Sequence, residues 1–280
     1  MKNMRRFATT KPVLFGLLMI VVWSLLVTLG YPLHFLFPDT EVGRTLGDAA
    51  ARAAAFIALS LLIWALGWLR RSGLGRWGSH LLWWLAAIPG TYLTLAELFA
   101  FTGNVFWPRS SSPMAVPELL NTLAGAALEE ALFRGLILTA MVLAWGDTHR
   151  GIAKAVVVSS LLFGATHLTN VLIRPVGVVI LQALLVSLPG IFYGALLLRG
   201  GSLWPGVVIH WISNAAINVA LIGNAAYEET PTMWLWFALF VVPLAAAGLV
   251  SLRTAPVLTK DEASADAGTV APDVMLAQKS

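Results

Sequence analysis

Eight long apolar runs constrain this chain more than any other feature of its sequence. They lie at 13–30, 49–69, 80–101, 117–144, 152–168, 176–198, 204–222 and 233–252. A helix of about 20 apolar residues crosses the roughly 30 Å hydrocarbon core of a bilayer. Only 11% of the 280 residues are charged, whereas soluble domains have about a quarter. The sequence therefore predicts an all-α, polytopic membrane helical bundle with about eight transmembrane helices.

The distribution of Lys and Arg predicts the orientation of these helices. With a cytoplasmic N-terminus, the cytoplasmic segments hold 13 of the 18 cations, namely Lys2, Arg5, Arg6, Lys11, Arg70, Arg71, Arg76, Arg150, Lys154, Arg199, Arg253, Lys260 and Lys279. The other side holds Arg44, Arg52, Arg109 and Arg174. Because cytoplasmic loops of membrane proteins are enriched in Lys and Arg, both termini are predicted to be cytoplasmic. The scattered cations also argue against nucleic acid as a partner.

Two regions follow from this pattern. Residues 1–253 are expected to form one membrane-embedded domain, and residues 254–280, rich in Ala, Asp and Thr, are expected to form a disordered cytoplasmic tail. The chain has no cysteine. A thiol nucleophile, a thiolate metal site and a prenylation box are therefore excluded.

The fourth apolar run contains three ionisable residues, Glu129, Glu130 and Arg134. Charges are costly at this depth, so such residues are candidates for a functional site. On a regular α-helix Glu130 and Arg134 lie one turn apart and can pair, whereas Glu129 points about 100° away from Glu130. We therefore expect the two glutamates to face different neighbours. Glu129, without an intrahelical partner, is the candidate general base.

Two other runs supply polar side chains that could meet these glutamates. Phe163 and His167 are one turn apart in the fifth run, and His210 and Asn214 are one turn apart in the seventh. A Glu and His pair can deprotonate water, and a His and Asn pair can donate to an oxyanion. On straight helices the two histidines differ by roughly 10 Å in depth, so their meeting requires tilted helices.

The order Glu-Glu-x-x-x-Arg, Phe-x-x-x-His and His-x-x-x-Asn resembles the CPBP family of intramembrane proteases. This family includes type II CAAX prenyl endopeptidases and bacteriocin-processing or self-immunity proteins. The resemblance implies a glutamic-type intramembrane endopeptidase acting on a membrane-anchored protein or peptide in a bacterial plasma membrane. It also implies that Glu129 and His167 activate water, that His210 and Asn214 form the oxyanion site, and that Glu130 and Arg134 support the first motif together with Phe163.

Several alternatives remain open on sequence grounds. The Glu130 and Arg134 pair, the histidines and Asn214 could serve only to hold helices together. The same groups could form the proton relay of a transporter, or the motifs could persist in a non-catalytic immunity protein. A zinc site built from Glu129, His167 and His210 is the metalloprotease alternative. No His-Glu-x-x-His motif occurs, so we expect chemistry without a metal cofactor. Glu97 is interpreted as a buried structural acid.

Overall fold

A computed structural model describes residues 1–102, 112–222 and 228–258. Within these ranges every regular element is a helix. The α-helices, numbered in chain order, are α1 Lys2–Thr10, α2 Pro12–Gly30, α3 Glu41–Ala65, α4 His80–Thr102, α5 Ala115–Glu130, α6 Thr139–Trp145, α7 His149–Thr166, α8 Val176–Gly200, α9 Trp204–Ala220 and α10 Pro231–Ser251. A π-helical segment, Ala131–Leu138, joins α5 to α6 without a break. Short 3₁₀ helices are Tyr31–Leu36, His167–Leu172 and Leu252–Thr254.

The predicted all-α polytopic bundle is confirmed. In the described part of the chain, six helical segments are long and apolar enough to cross a membrane, and they contain α2, α3, α4, α7, α8 and α10. The other two predicted runs are also helical. One is α9, which has 17 residues, and the other is the segment from α5 to α6, which the π-helical residues divide.

Large apolar side chains form much of the outward-facing surface of these helices. Examples on α2 are Leu14, Leu18, Leu25 and Leu29, which are all exposed. Corresponding stripes occur on α4 and α10, for example at Leu85, Ile88, Leu235, Trp236 and Leu239. Helices satisfy their own backbone hydrogen bonds, so an apolar outer surface suits contact with lipid tails rather than water.

Two boundaries differ from the sequence prediction. Helix α3 covers Glu41–Ala65, whereas hydropathy placed it at 49–69. Its polar first turns have a cap, because the hydroxyl of Thr40 accepts a hydrogen bond from the backbone N–H of Gly43 at 3.1 Å. Gly67, with φ +69°, follows its end. The second difference is at the N-terminus, where the basic stretch before the first apolar run, to which no helix was assigned, forms the short helix α1.

The π-helical segment lies at the centre of the bundle. All eight of its residues, Ala131–Leu138, are buried. They pack against buried side chains from α2, α3 and α7, including Phe15, Ile63 and Val156. The two adjacent glutamates are the last residues of α5, so their position is set by the buried segment that follows them.

Most of the predicted tail lies outside the described residues, since the description ends at residue 258. Its first residues contact the bundle. Ala255 is buried, and the backbone N–H of Leu258 donates to the carbonyl of Gly146 at 2.9 Å. The disordered tail stays a prediction for residues 259–280.

Candidate active site

Glu130 and Arg134 form the predicted ion pair in the interior of the bundle. Arg134 Nη1 lies 3.0 Å from Glu130 Oε1, and both side chains are only 1% exposed. The helix between them is not the regular α-helix assumed from the sequence, because Arg134 lies in the π-helical segment. The wider π turn changes which way each following side chain points, and π turns inside helices often occur at functional sites.

His210 on α9 is held between the two glutamates. Its Nδ1 lies 3.0 Å from Glu130 Oε1, and its Nε2 lies 3.6 Å from Glu129 Oε2. The expectation that the glutamates face different neighbours is therefore wrong in one respect, since both contact the same imidazole. Helix periodicity within α5 could not reveal a shared partner on another helix.

Two aromatic rings pack against His210 and Arg134. Tyr193 on α8 stacks on the His210 ring, with centroids 5.6 Å apart and planes inclined by 21°. The Phe163 ring meets His210 edge to face at 5.9 Å. The guanidinium of Arg134 lies 4.8 Å from the Phe163 centroid and 5.4 Å from that of Tyr193. Cation–π contacts of this kind help to compensate a buried guanidinium for its lost water.

Gly190 allows α8 to approach Arg134 closely. A Cβ atom at this position would lie 2.7 Å from Arg134 Nη2 and 3.1 Å from Ser160 Oγ. Any larger side chain would therefore push against the guanidinium that Glu130 binds. We refer to Glu130, Arg134, His210, Phe163 and Tyr193 as the deep cluster.

Glu129 differs from Glu130 in its surroundings. Its side chain is 29% exposed, and it faces a cavity of about 740 Å³. The carboxylate is thus near the imidazole of His210 and also open to a space that can hold water and substrate. The assignment of Glu129 as the candidate general base and of Glu130 as its support stays a prediction.

His167 is the first residue of the 3₁₀ helix that follows α7. Its Nδ1 lies 3.3 Å from the carbonyl oxygen of Phe163. Since a carbonyl oxygen only accepts, the ring donates from Nδ1, which leaves Nε2 as the acceptor in a neutral ring. The depth difference expected for straight helices does not keep the histidines apart from a common neighbour, because the Phe163 ring contacts His167 at 5.2 Å and His210 at 5.9 Å.

The cavity brings together the four residues that the sequence assigned to catalysis. Its lining includes Glu129, His167, His210 and Asn214, from α5, the 3₁₀ helix after α7, and α9. Phe163 also lines it. Glu130 and Arg134 lie behind this wall, and their supporting role stays a prediction.

Two of the cavity-wall residues that the sequence did not assign to the site contact α9. Tyr193 is one, and the only hint of it is its place between Gly190 and Gly194. Glu97 on α4 is the other; it is buried, and it accepts a hydrogen bond from the hydroxyl of Ser213. Ser213 lies between His210 and Asn214 on α9, so this bond links α4 to the helix that carries both predicted oxyanion donors.

Metal ligation by Glu129, His167 and His210 is the alternative role for these residues. Among the residues that the structure describes, no three His, Asp or Glu side chains are arranged to hold a metal ion. Of the two nitrogens of His210, Nε2 lies 3.6 Å from Glu129 Oε2, and Nδ1 is already engaged by Glu130. Chemistry without a metal stays a prediction.

Comparison with known proteins agrees with these motifs. A family model described as Type II CAAX prenyl endopeptidase Rce1-like matches residues 112–216. The resemblance to the CAAX endopeptidase family is confirmed. The match covers α5 through most of α9 and contains all three motifs and the deep cluster. Neither curated proteins nor solved structures give a match to this chain. The matched family is a family of proteases. The match therefore supports an enzyme that is embedded in the lipid bilayer and that acts on a protein substrate in general.

Proposed function

We propose that this protein is an intramembrane endopeptidase that hydrolyses a peptide bond in a membrane-anchored protein or peptide. One observation carries the proposal: Glu129, His167, His210 and Asn214 come from three separate segments and line one cavity. The Rce1-like match over residues 112–216 supports the same chemistry. Polar groups with only a structural role need not converge on a space large enough for a peptide.

Glu129 and His167 are the residues that activate water in this mechanism. The water oxygen attacks the carbonyl carbon of the scissile bond while Glu129 takes one of its protons. In the tautomer that donates from Nδ1 to the Phe163 carbonyl, the His167 ring has its Nε2 available to accept from the same water. When the tetrahedral intermediate collapses, the C–N bond breaks and the proton passes to the leaving amine.

His210 and Asn214 donate to the oxyanion that forms on the former carbonyl oxygen. An imidazole protonated at both nitrogens donates from Nδ1 to Glu130 and presents a second N–H toward Glu129 and the cavity. With His210 in this form, two carboxylates and two cations give the group of Glu129, Glu130, Arg134 and His210 a net charge of zero. Preorganised donors of this kind typically contribute a factor of about 10² to 10³ in rate.

The mechanism needs no metal cofactor. A zinc ion held by Glu129, His167 and His210 is the alternative, and it would supply a Lewis acid in place of the carboxylate base. Purified protein should therefore remain active in 1,10-phenanthroline and contain no stoichiometric zinc. Zinc whose removal abolishes cleavage and whose return restores it would replace this mechanism with the metal-dependent one.

The test of the function itself is cleavage in detergent. The purified protein is incubated with membrane-anchored peptides that differ in their anchor, with some prenylated and others carrying an apolar helix, and the products are identified by mass spectrometry. We expect cleavage at one bond of at least one peptide. A matched Asn214→Leu variant, which loses a donor facing the cavity, should cleave the same bond far more slowly while melting at a similar temperature. Equal rates for the two proteins would contradict the proposed oxyanion site.

A further inference from the structure

The cavity reaches the surface at one particular end of the bundle. Its lining includes Phe101 near the end of α4, His167 after α7 and Leu221 after α9. It also includes Val178 near the start of α8 and Trp234 near the start of α10. All five positions belong to the same end, since neighbouring helices in the chain run in opposite directions. We call this the cavity end.

Helix α8 gives the depth of the cavity. Val178, Gln182, Val186, Pro189 and Tyr193 line it at successive turns. At 1.5 Å per residue this stripe is about 22 Å long. It leads from the first turn of α8 to Tyr193, which stacks on His210. The deep cluster is therefore at the inner end of the cavity, and Asn214 and Asn218 lead from it toward the surface on α9.

Charged side chains surround the opening. Arg174 Nη1 lies 2.7 Å from Glu229 Oε1, and the indole N–H of Trp234 donates to the other oxygen of Glu229 at 3.2 Å. Glu228 is exposed beside them and also lines the cavity. Such a concentration of charge belongs in water or at the headgroup level, so the opening lies at a membrane surface rather than in the hydrocarbon.

An apolar rim adjoins this charged opening. Its members are exposed side chains of the 3₁₀ helix after α7 and the first residues that follow, namely Leu168, Val171, Leu172, Ile173 and Val176. Ile173 lines the cavity and is 81% exposed. An apolar rim next to a charged opening fits the boundary between acyl chains and headgroups in one leaflet.

The cations identify which leaflet this is. Among the described residues, the opposite end of the bundle and the segments next to it hold Lys2, Arg5, Arg6, Lys11, Arg70, Arg71, Arg76, Arg150, Lys154, Arg199 and Arg253. The cavity end holds Arg44 and Arg174, and Arg52 lies near the middle of α3. Because Lys and Arg are enriched on the cytoplasmic side, the cavity end faces away from the cytoplasm.

We propose that the cavity admits its peptide from the non-cytoplasmic side of the membrane, from a segment that emerges beside an anchor in the outer leaflet. The apolar rim contacts the anchor or the surrounding lipid, and the extended segment passes between Arg174 and Glu228 toward His210. This inference depends on the proposed function only for what occupies the cavity. The side on which the cavity opens is a separate property of the fold.

The absence of cysteine makes the side measurable with single-cysteine variants and a membrane-impermeant maleimide. Glu228→Cys places a thiol at the opening, and Asn218→Cys places one inside the cavity. Asp147→Cys, in the exposed loop between α6 and α7, is the matched control at the opposite end. Each full-length variant is labelled in intact cells and, separately, after permeabilisation.

In intact cells we expect labelling of Glu228→Cys, slower labelling of Asn218→Cys and no labelling of Asp147→Cys. After permeabilisation all three should react. Labelling of Asp147→Cys alone in intact cells would overturn the proposal by inverting the orientation. If Glu228→Cys is labelled in intact cells but Asn218→Cys is not, the cavity is not reached from that side and the proposal is overturned. Neither outcome would affect cleavage by purified protein in detergent, so failure of this inference and failure of the proposed function are distinguishable.

Discussion

An arginine is paired with a glutamate behind the inner wall of the cavity and again at its opening, but the two pairs differ in burial and in the side chains that contact them. In the deep cluster, Arg134 and Glu130 are 3.0 Å apart and each is 1% exposed. At the opening, Arg174 and Glu229 are 2.7 Å apart and are 36% and 17% exposed. The shorter distance belongs to the more exposed pair. Distance alone therefore says little about what each pair contributes.

Burial determines how much each pair contributes to stability. Removing one partner from a buried pair leaves an uncompensated charge, which costs about 3 to 5 kcal/mol, whereas exposed pairs contribute about 0 to 1 kcal/mol. In the deep pair, Glu130 also contacts His210, and Arg134 also contacts two aromatic rings. Changes there are expected to affect both stability and catalysis, while changes at the opening are expected to affect access with little effect on stability.

The largest expected loss of stability comes from Glu130→Gln. The amide preserves the shape and can still accept from His210 Nδ1, but it removes the charge that balances the buried Arg134. We expect destabilisation by roughly 3 to 5 kcal/mol, measured as a lower melting temperature in detergent. Glu118→Gln on the first turn of the same helix, which is less buried, is the control and should melt near the wild type. Equal melting temperatures for both variants would remove the distinction between the deep cluster and the surface.

A smaller loss is expected for Gly190→Ala. The added methyl group would lie 2.7 Å from Arg134 Nη2, so the guanidinium or α8 must shift. Overpacking of this kind typically costs about 1 to 3 kcal/mol. Gly177→Ala, also on α8, has no atom within 4 Å of the new Cβ and is the matched control. A melting temperature for Gly190→Ala no lower than that of the control would show that the deep cluster tolerates movement of Arg134.

The smallest effect on stability is expected for Glu229→Gln at the opening. The amide oxygen can still accept from the Trp234 indole, and the partly exposed Arg174 remains solvated. The change in unfolding free energy should be about 0 to 1 kcal/mol, and cleavage by the folded protein should change mainly in KM. A loss as large as that of Glu130→Gln would contradict the comparison between the two ends.

The sequence revealed the ionisable residues of the site because charges within apolar runs are conspicuous. Glu129, Glu130, Arg134 and His210 stand out against their neighbours, and the family motif adds Asn214. The opening was not predictable in the same way. Arg174 and Glu229 lie in ordinary polar loops, and their pairing depends on how the segment before α8 meets the start of α10.

Two features inside the bundle were also beyond the reach of sequence periodicity. The angles between Glu129, Glu130 and Arg134 were calculated for 3.6 residues per turn, but Arg134 lies in a π-helical segment. Tyr193 has no charge to mark it within an apolar helix, although it stacks on His210. Helix positions were predicted well because hydropathy measures the length that a bilayer requires, and α3 was the exception because its first turns are polar.

The most direct test of the central claim compares single-turnover cleavage by Glu129→Gln and Glu130→Gln, each normalised to its folded fraction. Glutamine keeps the shape of the side chain but cannot take a proton from water. We expect Glu129→Gln to keep or exceed the wild-type melting temperature and to lose about 10² to 10⁴-fold in rate, because that is the usual contribution of a general base. The folded fraction of Glu130→Gln should retain more activity than this. Normal cleavage by Glu129→Gln together with a folded but inactive Glu130→Gln would reverse the two assignments, and normal cleavage by both would contradict the proposed mechanism.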